Sequence, residues 1–231
     1  LDLISRENIT NPNAKVMLNT AVRNVERLNS IISDILDFSK LQSGKMVFHL
    51  DRYSPNEIAQ NAADAMMAWA NSKNLVLTIT QNREAPDIYV DKKRTEQILI
   101  NLISNAVKFT PEKGSVNVSV EYDASNPDYV GLYVKDTGCG IKKEDQQKIF
   151  EKFVQAVGGE KVGGTGLGLA ITKAMIVMQS GNIYLESELN KGSLFKVFMP
   201  VYRGQQLNTE VSLSADEKKE RKSWWKKLLG I

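Results

Sequence analysis

Eight of the fifteen glycines fall between Gly138 and Gly168. Glycine concentrates where a backbone must turn sharply or come close to something else. Within the cluster, Gly164-Thr165-Gly166-Leu167-Gly168-Leu169 leads directly into an expected helix. A helix start offers free N–H groups and the positive end of the dipole, which suits a phosphate. Such stretches also occur as plain turns, and this one does not follow a strand as a dinucleotide-binding fingerprint does. A second group, Asp136-Thr137-Gly138-Cys139-Gly140, directly follows an expected strand, Tyr129–Lys135. A buried carboxylate at a strand end can accept a hydrogen bond from an amine such as the adenine amino group. The adjoining glycines let a flat ring lie near the main chain. The alternative is a tight turn capped by the aspartate.

A third group lies on a helix expected from Asp91 to about Lys108, stopped by Thr110-Pro111. At about 100° per residue, Asn101, Asn105 and Lys108 share one face, and Leu99, Leu102, Ile103 and Ala106 share the opposite one. Two amides and an amine can be a solvated stripe. Amide oxygens are also hard ligands suited to Mg²⁺, and a lysine beside them suits a polyphosphate.

The chain divides into three parts. Residues 14–42 read as one long helix, with Leu18, Ala21, Val25, Leu28, Ile32 and Ile35 at three- and four-residue steps. Val22, Ile31, Leu36 and Phe38 widen the stripe, which suits a helical bundle; an amphipathic helix lying on its own core is the alternative. From Lys45 the pattern changes to mixed α and β. Strands are expected at Met46–Leu50, Leu75–Thr80, Val116–Tyr122, Tyr129–Lys135, Ile183–Glu186 and Leu194–Met199. Helices are expected from Ser54 to about Ser72, from Lys143 to Phe153, and from the glycine-rich loop to about Gln179. The expected class is therefore α+β: a helical-bundle segment over 1–44, a mixed α and β part over 45–202, and a linker and basic tail over 203–231.

Composition narrows the function. The 42% hydrophobic and 25% charged content is ordinary for a globular chain, and no apolar run is long enough to span a membrane. One cysteine, Cys139, and one histidine, His49, cannot build a metal-ligand cluster or an internal disulfide. Cys-His or Ser-His catalysis could use only His49. From Arg203 onward there are seven Lys/Arg against four acids, which accounts for the whole net charge of +3. Residues 1–202 are thus neutral, which argues against a nucleic-acid-binding surface. In the tail, Trp224, Trp225, Leu228 and Leu229 beside Lys226 and Lys227 suit contact with an anionic membrane; packing on its own domain is the alternative.

Taken together, these segments resemble the motifs of sensor histidine kinases, in that family's order over roughly residues 45–200. Asn101–Pro111 is similar to the N box, Asp136–Ile141 to the first glycine box, Ile149–Gln155 to the F box and Gly164–Leu169 to the second glycine box. Gly192-Ser193 with Phe195 fits the late glycine motif, and Ser33–Gln42 resembles the end of the second helix of the dimerisation and phosphoacceptor domain. The resemblance implies an α/β two-layer sandwich of Bergerat type over 45–202, with ATP between sheet and helices under a lid. Asn105 with Asn101 would hold Mg²⁺, Lys108 would meet phosphate, and Asp136 would read the adenine amino group. Gly138, Gly140 and Ile141 would line the adenine pocket, with Phe109, Phe153 and Ser193 beside the nucleotide. Gly164, Thr165, Gly166, Leu167 and Gly168 would hold phosphate. The lid would span about Gln155–Gly163, with Lys161 as its cation.

The resemblance further implies a cytoplasmic catalytic core, homodimeric in the full-length protein, whose phosphoryl group passes to a response regulator receiver domain. Gyrase-like, chaperone and mismatch-repair ATPases of this fold, and related serine kinases, carry a glutamate general base four residues before the metal-binding asparagine. Asn101 stands there, and an amide takes no proton at neutral pH. Transfer to a histidine is therefore expected over hydrolysis, with a non-catalytic nucleotide-binding module as the alternative. The family's acceptor segment, a His followed by Glu or Asp, Leu, Arg and Pro, is missing. Leu1–Ile9 resembles the end of the first dimerisation helix, so the chain is expected to begin just past the acceptor. His49 reads as an ordinary strand residue.

Overall fold

A computed structural model describes residues 12–154, 165–204 and 209–211. The expected lid with Lys161, Gly164, the segment Leu1–Ile9 and the tail from 216 lie outside the described residues. A long helix comes first, α1 (Pro12–Gln42). The α/β part follows as β1 (Phe48–Tyr53), α2 (Pro55–Ser72), β2 (Val76–Thr80), β3 (Ile88–Val90), α3 (Lys92–Phe109), β4 (Ser115–Glu121) and β5 (Tyr129–Asp136). After a 3₁₀ turn at Lys148–Phe150 come α4 (Gly168–Met178), β6 (Asn182–Glu188), β7 (Gly192–Pro200) and β8 (Thr209–Val211).

Local chemistry sets these boundaries. Ser54 caps α2 by accepting from the Glu57 N–H, and Pro55 fills the first turn, where its missing N–H is harmless. Asp91 caps α3 through the Arg94 N–H at 3.0 Å, and Thr110 with Pro111 ends it. Valine-rich β4 and β5 alternate their side chains between the two faces of the sheet.

The main sheet has the order β2-β4-β5-β7-β6, with β2 and β4 parallel and the other neighbours antiparallel. Val116, Val118, Leu132, Val134, Val197 and Met199 join Leu99, Leu102, Ile103, Ala106, Ile171 and Met175 in one buried cluster. That cluster is the interior of a two-layer sandwich of sheet and helices. A smaller sheet, β3-β1-β8, closes one side.

Three features depart from the sequence reading. The expected helix over Lys143–Phe153 is reduced to the 3₁₀ turn, because Asp145, Gln146 and Lys148 leave no apolar stripe to bury. Ile88–Val90 was not legible as a strand because it is three residues long and buried throughout, so it shows no alternation. Thr209–Val211, within the stretch read as a linker, pairs antiparallel with Phe48–Leu50.

The seam of α1 is left uncovered: Leu28 is 55% exposed and Ile35 52%. The alternative of a helix lying along its own core does not hold for these positions. Among the described side chains of α1, the buried ones, Asp37 and Leu41, lie at its C-terminal end. Among the described residues no helix is long and apolar enough to cross a membrane.

Leu102 is fully buried between α3 and the sheet. Leu102→Ala is expected to lower the unfolding free energy by about 2–5 kcal/mol, seen as a lower urea midpoint. An unchanged midpoint would contradict this packing.

Candidate nucleotide site

The candidate residues converge on α3 from both sides. Asn101, Asn105 and Lys108 occupy successive turns on its polar face, and all three are partly buried. The Asn101 amide donates Nδ2–H to Thr172 Oγ1 on α4 at 2.7 Å. This bond turns the Asn101 Oδ1 toward Gly168, where an added Cβ would lie 3.0 Å from it. Lys108 lies with Nζ 5.2 Å from the Phe109 ring centroid.

Asp136 ends β5 between Val116 of β4 and Ser193 of β7, and is 6% exposed. The Gly138 N–H donates to its Oδ1 at 2.7 Å. Burial pushes the Asp136 carboxyl above its ordinary value, and N–H groups of Gly138 and Ser193 partly offset this. The turn that follows is tied to the end of α3: the Cys139 N–H donates to the Phe109 carbonyl at 3.3 Å. Gly140 has φ +66°, and a Cβ there would come within 2.0 Å of the Glu188 carbonyl oxygen, so only glycine fits.

Residues that sequence reasoning did not single out complete this side. Ser187 Oγ accepts from the Ile141 N–H at 2.8 Å and lies 3.0 Å from Ser193 Oγ. Gln146 donates to the carbonyls of Ile141 and Ser187 at 3.0 and 2.8 Å. A serine in a strand and a glutamine in a turn carry no local signal of such a role. Lys73 acts similarly on α3, donating Nζ–H to the carbonyls of Val107, Lys108 and Thr110 at 2.7, 3.2 and 3.3 Å. A cation there satisfies the last carbonyls of the helix and matches the negative end of its dipole.

On the far side, the Phe153 N–H donates to the Gly166 carbonyl at 2.9 Å. Phe153 is 69% exposed, with φ +60°. For an aromatic residue that conformation is a real outlier, held here by the pairing with Gly166. Thr165 Oγ1 accepts from the Leu167 N–H at 3.1 Å and donates to Asp34 Oδ2 of α1 at 2.7 Å. Leu167 is buried at the start of α4.

The structure therefore brings together Asn101, Thr172 and Gly168 at the middle of α3, and Phe109, Gly138, Cys139 and Asp136 at its C-terminal end. Asn105 lies on α3 between them. Among the described residues, no group of three or more His, Cys, Asp and Glu side chains could hold a metal. The donors on α3 are amide oxygens, hard but neutral. They fit a Mg²⁺ ion that takes its remaining ligands from phosphate and water.

Residues 90–203 match the family described as histidine kinase-, DNA gyrase B- and HSP90-like ATPases. The chain is 36% identical over 189 residues to the signal transduction histidine-protein kinase BarA of Escherichia coli, covering 80% of this chain and 20% of that protein. It is 37% identical over 179 residues to the circadian input-output histidine kinase CikA of Synechococcus elongatus, covering 76% and 23%. The chain thus spans about a fifth of the length of these curated relatives. Full-length ShkA in complex with AMPPNP superposes with a TM-score of 0.69 at 30% identity, covering 81% of this chain and 39% of that one.

The raised Asp136 carboxyl has a consequence for stability. A group whose value is raised on folding contributes stability below its ordinary value, and that contribution is lost as pH rises through the raised value. At neutral pH the buried charge is a net cost that Asp136→Asn removes. The stability of this variant relative to wild type is expected to grow as pH rises above the ordinary aspartate value, measured by urea unfolding at several pH values. A difference that shrinks over that window would overturn the assignment.

Proposed function

Because the chain belongs to the sensor histidine kinases, through an ATPase domain of the histidine kinase, gyrase and HSP90 type, we propose that it is their ATP-binding catalytic core. It delivers the γ-phosphoryl group of Mg·ATP to a histidine outside this chain, for relay to an aspartate on a response regulator receiver domain. The Asn101–Thr172 hydrogen bond carries this reading. Hydrolytic relatives of the fold place a general base at this point. Here an amide is held by a hydroxyl on the neighbouring helix and can take no proton from water. A neutral imidazole needs no such base, because its ring nitrogen is already a nucleophile.

In this reading Asp136 accepts from the adenine amino group, while Gly138, Gly140 and Ile141 admit the ring edge. Ser187 and Gln146 fix that loop from behind. Asn105 and Asn101 hold Mg²⁺, which when bound offsets phosphate charge. Lys108 meets phosphate, and Thr165 to Gly168 offer donors at the start of α4. Positioning and charge stabilisation supply the catalysis. His49 takes no part: it sits in β1, paired with β3 and β8 rather than with the main sheet, and its N–H donates to Asp91. The exposed stripe of α1 supports a homodimeric bundle in the full-length protein, and the cytoplasm, where ATP is available, is the proposed location. The tail's contact with anionic membranes remains a proposal from its sequence.

Calorimetry is expected to show Mg·ATP binding with micromolar to millimolar affinity. Asp136→Asn should weaken it roughly five- to hundredfold, because loss of a buried hydrogen-bond partner costs about 1–3 kcal/mol. Asn105→Ala should reduce its Mg²⁺ dependence. With radiolabelled ATP, acid-labile label is expected on a separately supplied acceptor-helix domain and none on the chain alone. Label on His49, or undiminished affinity in the Asp136 variant, would overturn the reading.

A further inference from the structure

The end of α1 is anchored on the α/β domain by several independent contacts. Asp37 accepts from Gln97 Nε2 at 2.9 Å and pairs with Arg94 Nη1 at 3.4 Å, both on α3. Lys152, just before Phe153, lies 4.9 Å from the Phe38 ring centroid. Leu41 is buried in the core cluster. One turn before Asp37, the half-buried Asp34 accepts from Thr165 Oγ1 at 2.7 Å.

Thr165 is therefore used on both sides. Its hydroxyl hydrogen goes to Asp34, and its oxygen takes the Leu167 N–H. These are two donors at the start of α4, where free donors favour phosphate. Asp34 adds a carboxylate one hydroxyl away from the place a polyphosphate would occupy, and like charges at such range oppose each other. Burial raises the Asp34 carboxyl, the Thr165 bond lowers it and Asp37 raises it.

We propose that Asp34 is a positioning residue that sets nucleotide affinity according to phosphate number: through Thr165 it withholds donors from the phosphate-binding loop and weakens the hold on polyphosphate. Docking of α1 and binding of ATP thus compete for the same groups. By reciprocity, bound ATP weakens the Asp34–Thr165 contact by the same factor. The dimerisation helix thereby acquires a direct handle on the nucleotide site, independent of the acceptor histidine. The inference rests on the assignment of this pocket to ATP.

The test is calorimetric titration of the whole chain with ATP, ADP, AMP and adenosine in the presence of Mg²⁺. Asp34→Ala is expected to tighten ATP roughly three- to tenfold, ADP less, and adenosine not at all. Asp34→Asn, which keeps an acceptor but loses the charge, should fall between wild type and Asp34→Ala. In a Thr165→Val background, Asp34→Ala should have a smaller effect, since the hydroxyl link is gone and only the charge of Asp34 is left to remove. Equal ATP affinity in wild type and both Asp34 variants would overturn the inference and leave the site reading standing. Weaker ATP binding in Asp34→Ala, or equal tightening of adenosine, would also overturn it. Failure of every protein to bind ATP would overturn the site reading, and this inference with it.

Discussion

Helix α3 is held at both ends by polar groups that are themselves tied into the fold. At its start Asp91 caps the Arg94 N–H, accepts from the His49 N–H, and donates its own N–H to Gln179 at the end of α4. At its finish Lys73, just beyond α2, satisfies three backbone carbonyls. A helix fixed in this way cannot slide or rotate without leaving buried groups unpaired, which costs far more than such bonds contribute on balance. The polar face with Asn101, Asn105 and Lys108 is therefore presented at one depth, and both glycine-rich loops are built against it.

The two loops meet α3 by different means. The Asp136 loop uses backbone closeness: the Phe109 carbonyl accepts from Cys139, and the Cys139 carbonyl accepts from Asn190 at 2.7 Å. Side chains are absent where main chains touch: a Cβ on Gly138 would lie 2.7 Å from the Phe109 carbonyl oxygen, and one on Gly140 would lie 2.0 Å from that of Glu188. The Thr165 loop uses side chains instead. The Asn101–Thr172 bond joins α3 to α4, and Thr165 joins α4 to α1. One side of the pocket is thus rigid by backbone geometry, and the other depends on bonds between elements that can part.

This asymmetry gives the pocket a mechanical sense. The Asp136 side, with its carboxylate buried and pinned by two N–H groups, is already organised without any rearrangement of other elements. The Thr165 side is bonded to a helix whose apolar seam is exposed at Val25, Leu28, Ile32 and Ile35.

The sequence alone determined the pieces. Asp91, Ser54 and Thr110-Pro111 fixed helix ends through local hydrogen bonding and steric limits. Apolar spacing assigned α1, α2 and α3, and the order of the motifs identified the family. These signals act within a few residues and survive without tertiary context. Tertiary structure decided the rest. The strand at Ile88–Val90 exists because β1 supplies its partner, and Thr209–Val211 forms a strand against Phe48–Leu50 within a stretch that reads as linker. Lys73, Ser187 and Gln146 gain their roles only from what packs beside them. Asp34 and Thr165 are 131 positions apart. Their bond is set by where α1 docks on the domain, and no local pattern around either residue encodes that distance.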